Sequence, residues 1–199
     1  RFWQNGETMY RTWSEFLAAE RAAAAHVRAA GGHYYARLNT AYLPPAQAYY
    51  KLVYSLIAGT HPADEIDAPG CANWGAFLTR WSGMLWDPAL RFADPDKRVT
   101  VTGAKLRRFL TVREVSPTQT FVILHLVTPS GSDSIGETVF SPRSGPVTVA
   151  YRPVSGARIA QIIVVRPDAV PFETYLPKTS SVTLPPLGHW AMVIWEVVR

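Results

Sequence analysis

The stretch Gly75–Arg91, GAFLTRWSGMLWDPALR, separates two kinds of sequence. Within it Phe77, Trp81, Met84 and Leu85 recur at the spacing that places side chains on one face of a helix. Asp87-Pro88 then closes that helix, because a residue preceding proline is pushed out of the α region. A helix carrying Trp81 and Trp86 reads as glue between two layers, so Trp81, Met84, Leu85 and Trp86 are assigned to packing. Before the stretch the chain reads as helix, short strand and helix, rich in Ala and Tyr. After it the period shortens to that of β-structure, broken repeatedly by Pro, Gly and Ser.

Working back from the joint, Glu7 to Ala30 is predicted helical, with Thr12-Trp-Ser-Glu15 as a capping box and Asn5 or Thr8 as earlier possible starts. Gly31-Gly32 stops the helix, since glycine accepts the left-handed conformation found there. His33–Leu38 follows as a strand with Tyr34, Ala36 and Leu38 on one side and His33, Tyr35 and Arg37 on the other. Helix, glycine turn and strand make the αβ half of a βαβ unit, whose strands join a parallel sheet. Asn39–Leu43 then lies beyond the carboxyl end of that strand, where α/β folds bind ligands. Pro45 opens the next helix, carrying Tyr49, Tyr50, Val53, Tyr54 and Ile57 to Gly59. Thr60–Asn73 reads as an irregular acidic loop whose Asp64, Glu65 and Asp67 are taken as solvated charges ahead of an acid/base pair or cation site.

Working forward, Val99–Val101, Phe109–Val115, Phe121–Val127, Val147–Tyr151, Ile159–Val165, Ser181–Leu184 and Ala191–Val197 are predicted strands. Short strands with frequent turn signals indicate an antiparallel β-sandwich. The fold class is therefore α/β plus all-β, with residues 1–95 and 96–199 as the two parts.

Composition narrows the function. Hydrophobic residues make up 48% of the 199 and charged residues 18%, values of a globular chain, and no apolar run is long enough to span a membrane. The lone Cys71 rules out an internal disulfide framework and a cysteine-based zinc site. Eight Lys/Arg balance eight Asp/Glu in residues 1–95, whereas twelve face seven in 96–199, so the formal charge of +5 resides in the β part. Apart from Lys105–Arg108 the basic residues are scattered, and no aromatic-basic motif accompanies them, which argues against nucleic acid. The absence of GxGxxG, P-loop, HExxH and G-x-S-x-G motifs gives no reason to expect a cofactor or metal. The histidines His26, His33, His61, His125 and His189 stand far apart. His26 reads as surface and His125 as a hydrogen-bonded core residue. His33, beside Tyr35 and Arg37, is a candidate ligand contact. Arg1 is not an initiator Met, and the first residues already read like a folded interior. The expectation is a fragment, a processed product or one piece of a larger protein.

Four segments carry a resemblance to a known family: GGHYYARLN, YYKLVYSLIAG, FLTRWSGMLWDPAL and TFVILHLVTP. In order and texture, residues 31–127 resemble the tail of glycoside hydrolase family 66, the bacterial dextranase and cycloisomaltooligosaccharide glucanotransferase group. There the end of a (β/α)8 barrel runs into a helix and a C-terminal β-domain. The resemblance implies the terminal segment of such a barrel followed by the sandwich, acting on an α-glucan-like polysaccharide. The catalytic carboxylates and remaining barrel strands would then come from an upstream segment or a companion polypeptide. The chain departs from the pattern at the strand end, where an acidic residue is expected but Arg37-Leu38-Asn39 stands. On this reading it supplies no catalytic residue. It contributes a wall of the sugar site, with His33, Tyr35, Arg37, Asn39 and Trp74 as contacts, because aromatic faces and planar polar groups suit sugar rings. A non-catalytic carbohydrate- or protein-binding sandwich with a helical assembly region is the alternative, and a barrel relative without activity is a third reading.

Overall fold

The computed structural model describes residues 10–62, 74–129, 131–140, 143–169 and 173–199. Asp64, Glu65 and Asp67, and the proposed helix starts near Asn5 and Thr8, lie outside them. The chain divides into two compact units, Arg1–Pro88 with Ser130–Phe140, and Ala89–Pro129 with Ser141–Arg199.

In the first unit, α1 spans Trp13–Ala29 and its capping box forms as the sequence predicts. Thr12 Oγ1 accepts from Glu15 N at 3.1 Å while Glu15 Oε2 accepts from Thr12 N at 3.3 Å, which satisfies donors the first turn leaves open. The predicted strand His33–Leu38 contracts to β1, Tyr35–Ala36, because Asn39 takes a left-handed conformation (φ 50°) and turns the chain into a 3-10 turn over Thr40–Tyr42. Helix α2 covers Pro45–Ala58, and every residue from Ala48 to Ala58 is buried. A helix apolar on all sides belongs to an interior, not to an amphipathic surface.

The predicted loop after α2 instead opens with β2, His61–Pro62, which pairs with β1 in parallel, Tyr35 opposite His61 and Ala36 opposite Pro62. β1, α2 and β2 thus form a complete βαβ crossover. Helix α3 spans Trp74–Leu85 and buries Trp74, Phe77, Leu78, Trp81 and Leu85, with Met84 at the margin. It ends before Asp87-Pro88, and Leu90 and Arg91 belong to a strand.

The segment 131–140 returns to this unit. Trp13 N donates to Asp133 O at 2.9 Å, Ile135 N to Arg11 O at 3.0 Å, and the Trp13 indole to Thr138 Oγ1 at 2.8 Å. Trp13 stacks on Tyr54 with centroids 5.2 Å apart, and Phe140 meets Tyr49 edge-on at 5.7 Å. Such ring pairs add about 0.5–1.5 kcal/mol each beyond area burial.

Two buried ionisable groups hold the crossover to its helices. Lys51 Nζ donates to Leu38 O at 2.6 Å, beyond the end of β1, and Thr60 Oγ1, just before β2, donates to Glu20 Oε2 at 2.9 Å. Burial raises the Glu20 carboxyl above its ordinary range, opposed by the Thr60 hydrogen bond and then by the Lys51 charge.

Among the described residues the regular elements of the second unit are strands, apart from a 3-10 turn at Pro95–Lys97. The seven predicted strands are present as β4 Val99–Thr102, β5 Arg107–Ser116, β6 Gln119–Val127, β7 Val147–Tyr151, β8 Arg158–Val165, β10 Ser181–Leu184 and β11 Trp190–Val198. Two more, β3 Leu90–Ala93 and β9 Glu173–Leu176, join the edges of the larger sheet. That sheet has the order β3-β5-β6-β11-β8-β9 and the smaller one β10-β7-β4, both antiparallel. One core joins Val99, Val147, Val149 and Leu184 of the small sheet to Leu110, Leu124, Val164 and Val193 of the large one, as in a β-sandwich. The alternate residues Ile123, His125, Met192 and Ile194 are also buried, which is why β6 and β11 read as continuous apolar runs.

Candidate functional site

The βαβ crossover presents two unlike faces. Ala36 and Leu38 are buried, while His33, Tyr35 and Arg37 are exposed, Tyr35 by 62%. The two-residue period predicted from sequence is therefore obeyed, and three of the predicted contacts share one face. Asn39, half-buried, follows them at the carboxyl end of β1 and owes its place to its left-handed backbone. Trp74 is placed elsewhere: it is 1% exposed, edge-on to Tyr49 at 5.5 Å and to Phe77 at 5.7 Å, its ring packed into the aromatic interior.

On the exposed face the parallel register sets His61 beside Tyr35, ring centroids 4.8 Å apart. His33 meets His61 edge-on at 5.3 Å. On its other side His61 stacks against Trp86 at 4.5 Å and 23°, and the Trp86 indole donates to Thr60 O at 3.1 Å. Tyr35, His61 and Trp86 therefore form a row of rings with His33 at its flank. His61 Nε2 is buried and has no hydrogen-bond partner among the described residues. Burial lowers the His61 imidazole below its ordinary range, and the charges of His33 and Arg28 push it the same way. At neutral pH it is an uncharged ring with one nitrogen able to donate and one to accept.

His61 escaped the sequence reading, which assigns Trp86 to packing. One signal was available for His61: a residue two positions past the glycine that ends α2 is where a βαβ crossover starts its second strand. Trp86 gave no such signal, because its role depends on a carbonyl 26 residues upstream.

The row has the chemistry of a platform for a polyhydroxylated ring. Aromatic faces contact apolar C–H surfaces, and Arg37 and Asn39 can meet hydroxyls. It lacks a pair of carboxylates among the described residues, the minimum for glycoside hydrolysis by the usual routes. Glu20 does not supply one, being 2% exposed and engaged by Thr60 on the helix side. No three His, Cys, Asp or Glu side chains gather as a metal set among the described residues.

Comparison with solved structures yields a likeness of fold. The crystal structure of a Paenibacillus sp. cycloisomaltooligosaccharide glucanotransferase, complexed with cycloisomaltoheptaose, matches with a TM-score of 0.60 at 13% identity. The match covers 81% of this chain and 27% of that one, so this chain spans little more than a quarter of that protein's length. At such identity the likeness is one of fold. Neither the protein-family models nor the curated proteins compared with this sequence match it.

Proposed function

We propose that this chain is the C-terminal portion of a glycoside hydrolase or transglycosidase, acting on an α-glucan-like polysaccharide and built like the family 66 enzymes. The observation that carries the reading is the fold likeness to a glucanotransferase over 81% of the chain. It is supported by an exposed strand face bearing rings and sugar-compatible polar groups.

In a (β/α)8 barrel one strand face turns to the helices and the other to the barrel interior, with ligands at the carboxyl ends. Ala36 and Leu38 take the first role here. His33, Tyr35 and Arg37 take the second, joined by His61 and Trp86, with Arg37 and Asn39 nearest the mouth. Among the described residues β1 and β2 pair only with each other, leaving edges that further parallel strands would fill. An upstream segment or companion polypeptide would supply those strands and the paired carboxylates, and this chain one wall of the sugar site.

The test is the affinity of the complete protein for cycloisomaltoheptaose, by calorimetry, with and without Arg37→Ala. The reading predicts at least a tenfold loss. An unchanged affinity would remove Arg37 from the site, and no binding by the wild type would remove the ligand class.

A further inference from the structure

The β unit contains a cavity lined by its own residues. It measures about 470 Å³ and opens at one end of the sandwich. Its origin is topological. A three-stranded sheet cannot cover a six-stranded one, and two crossovers leave the gap between them. One runs from β3 through the 3-10 turn at Pro95–Lys97 to β4, and the other from β7 to β8. The two are fastened together where Arg152 N donates to Arg98 O at 2.9 Å.

The lining is mixed, with Thr118 and Thr120 continuing the row of Val122. Leu110, Val112, Val122 and Val197 form the floor on the inner face of the large sheet, where Val112 stands opposite Val122, and Val154 and Ala157 close the side. Around this floor stand Lys97, Arg98 and Arg199, all exposed, with Asp94 and Glu114. Asp94 Oδ1 already accepts from Asp96 N at 3.0 Å, and no ion pair joins Lys97 or Arg199 to a carboxylate among the described residues. Tyr151, stacked on Trp195 at 5.2 Å, lies at the boundary. Burial raises its phenol above the ordinary range and the Arg98 charge opposes that, which puts the guanidinium within electrostatic reach of the hydroxyl.

From this geometry we propose that the sandwich end is a binding site for a small amphipathic anion, an alkyl carboxylate whose chain lies on the Leu110–Val122–Val197 floor and whose carboxylate meets Arg98 and Lys97. At about 30 Å³ per heavy atom the space admits roughly sixteen atoms, more than the ten of an eight-carbon carboxylate. The site belongs to the β unit and does not depend on the glucan reading.

The test is titration of the 199-residue chain with octanoate, followed by calorimetry and by the methyl resonances of the valines. The proposal predicts saturable binding with shifts at Val112, Val122 and Val197. It also predicts affinity at least tenfold weaker in Arg98→Glu and at least threefold weaker in Lys97→Glu, both exposed positions that leave the core intact. A third expectation is that octylammonium binds at least tenfold more weakly than octanoate. Non-saturable binding, equal affinity for the two head groups, or wild-type affinity in both charge variants would overturn it.

Discussion

His125 should make the stability of the β unit depend on pH in a calculable way. Its side chain is 1% exposed on β6, its Nε2 3.3 Å from Thr111 Oγ1 and its ring parallel to Trp190 at 6.0 Å. Burial lowers its pKa from an ordinary 6.5 to about 3. The unfolded chain therefore binds a proton that the folded chain refuses between those values, and stability is lost as pH falls through 6.5 and levels off below about 3. At about pH 4.5 the unfolded imidazole lies about two units below its pKa while the folded one remains neutral. With about 1.36 kcal/mol per unit, the loss relative to pH 8 is ~2.7 kcal/mol. Urea unfolding at the two pH values, for the wild type and for His125→Phe, isolates this contribution from the other titrating groups. The wild type should lose about 2–3 kcal/mol more than the variant between pH 8 and pH 4.5. Parallel pH profiles would refute the reasoning, because they would mean that His125 takes up its proton without unfolding.

Two further perturbations probe the parts that shape the fold. Lys51→Met leaves the Leu38 carbonyl without its donor and Glu20 without a nearby cation, and should destabilise the helical unit by about 3 kcal/mol. Glu20→Leu combined with Lys51→Met should cost less than the two single losses added together, as read by a urea double-mutant cycle. Gly103→Ala should cost more than about 2 kcal/mol, because φ is +98° and the new Cβ would run into the Pro146 carbonyl. Gly156→Ala, at φ +80° with open space around it, should cost only about 1 kcal/mol, so equal midpoints for the two variants would contradict the steric account.

The β part was legible because its signal is local. Phe121–Val127 and Ala191–Val197 are short apolar runs rich in β-branched and aromatic residues, and the breakers between runs fix the turns. The helices were legible through the Thr12–Glu15 box, Pro45 and Gly59. The misses are all non-local. β2 is too short to show a period and begins inside what reads as a polar loop, so only its pairing with Tyr35 and Ala36 makes it a strand. Segment 131–140 resembles a linker until its backbone is seen bonded to Arg11 and Trp13. β3 and β9 have too few residues to outweigh the prolines and charges around them. The same limit governs the candidate site. The alternation of His33, Tyr35 and Arg37 could be read directly, but their convergence with His61 and Trp86 depends on a parallel register. Trp74 had the chemistry of a sugar contact and not the exposure.

The proposed function requires that sugar be met on the strand face of the helical unit and not by the β-sandwich. The histidines report on both, since His26, His33 and His61 belong to the first unit and His125 and His189 to the second. The decisive measurement follows these five imidazole C–H resonances in the complete protein, with the upstream segment or companion present, during titration with isomalto-oligosaccharide. The account predicts saturable shifts at His33 and His61, through the ring contacts with Tyr35 and Trp86, with His26, His125 and His189 unmoved. Shifts confined to His125 and His189, or none at His33 and His61 under saturating sugar, would contradict it.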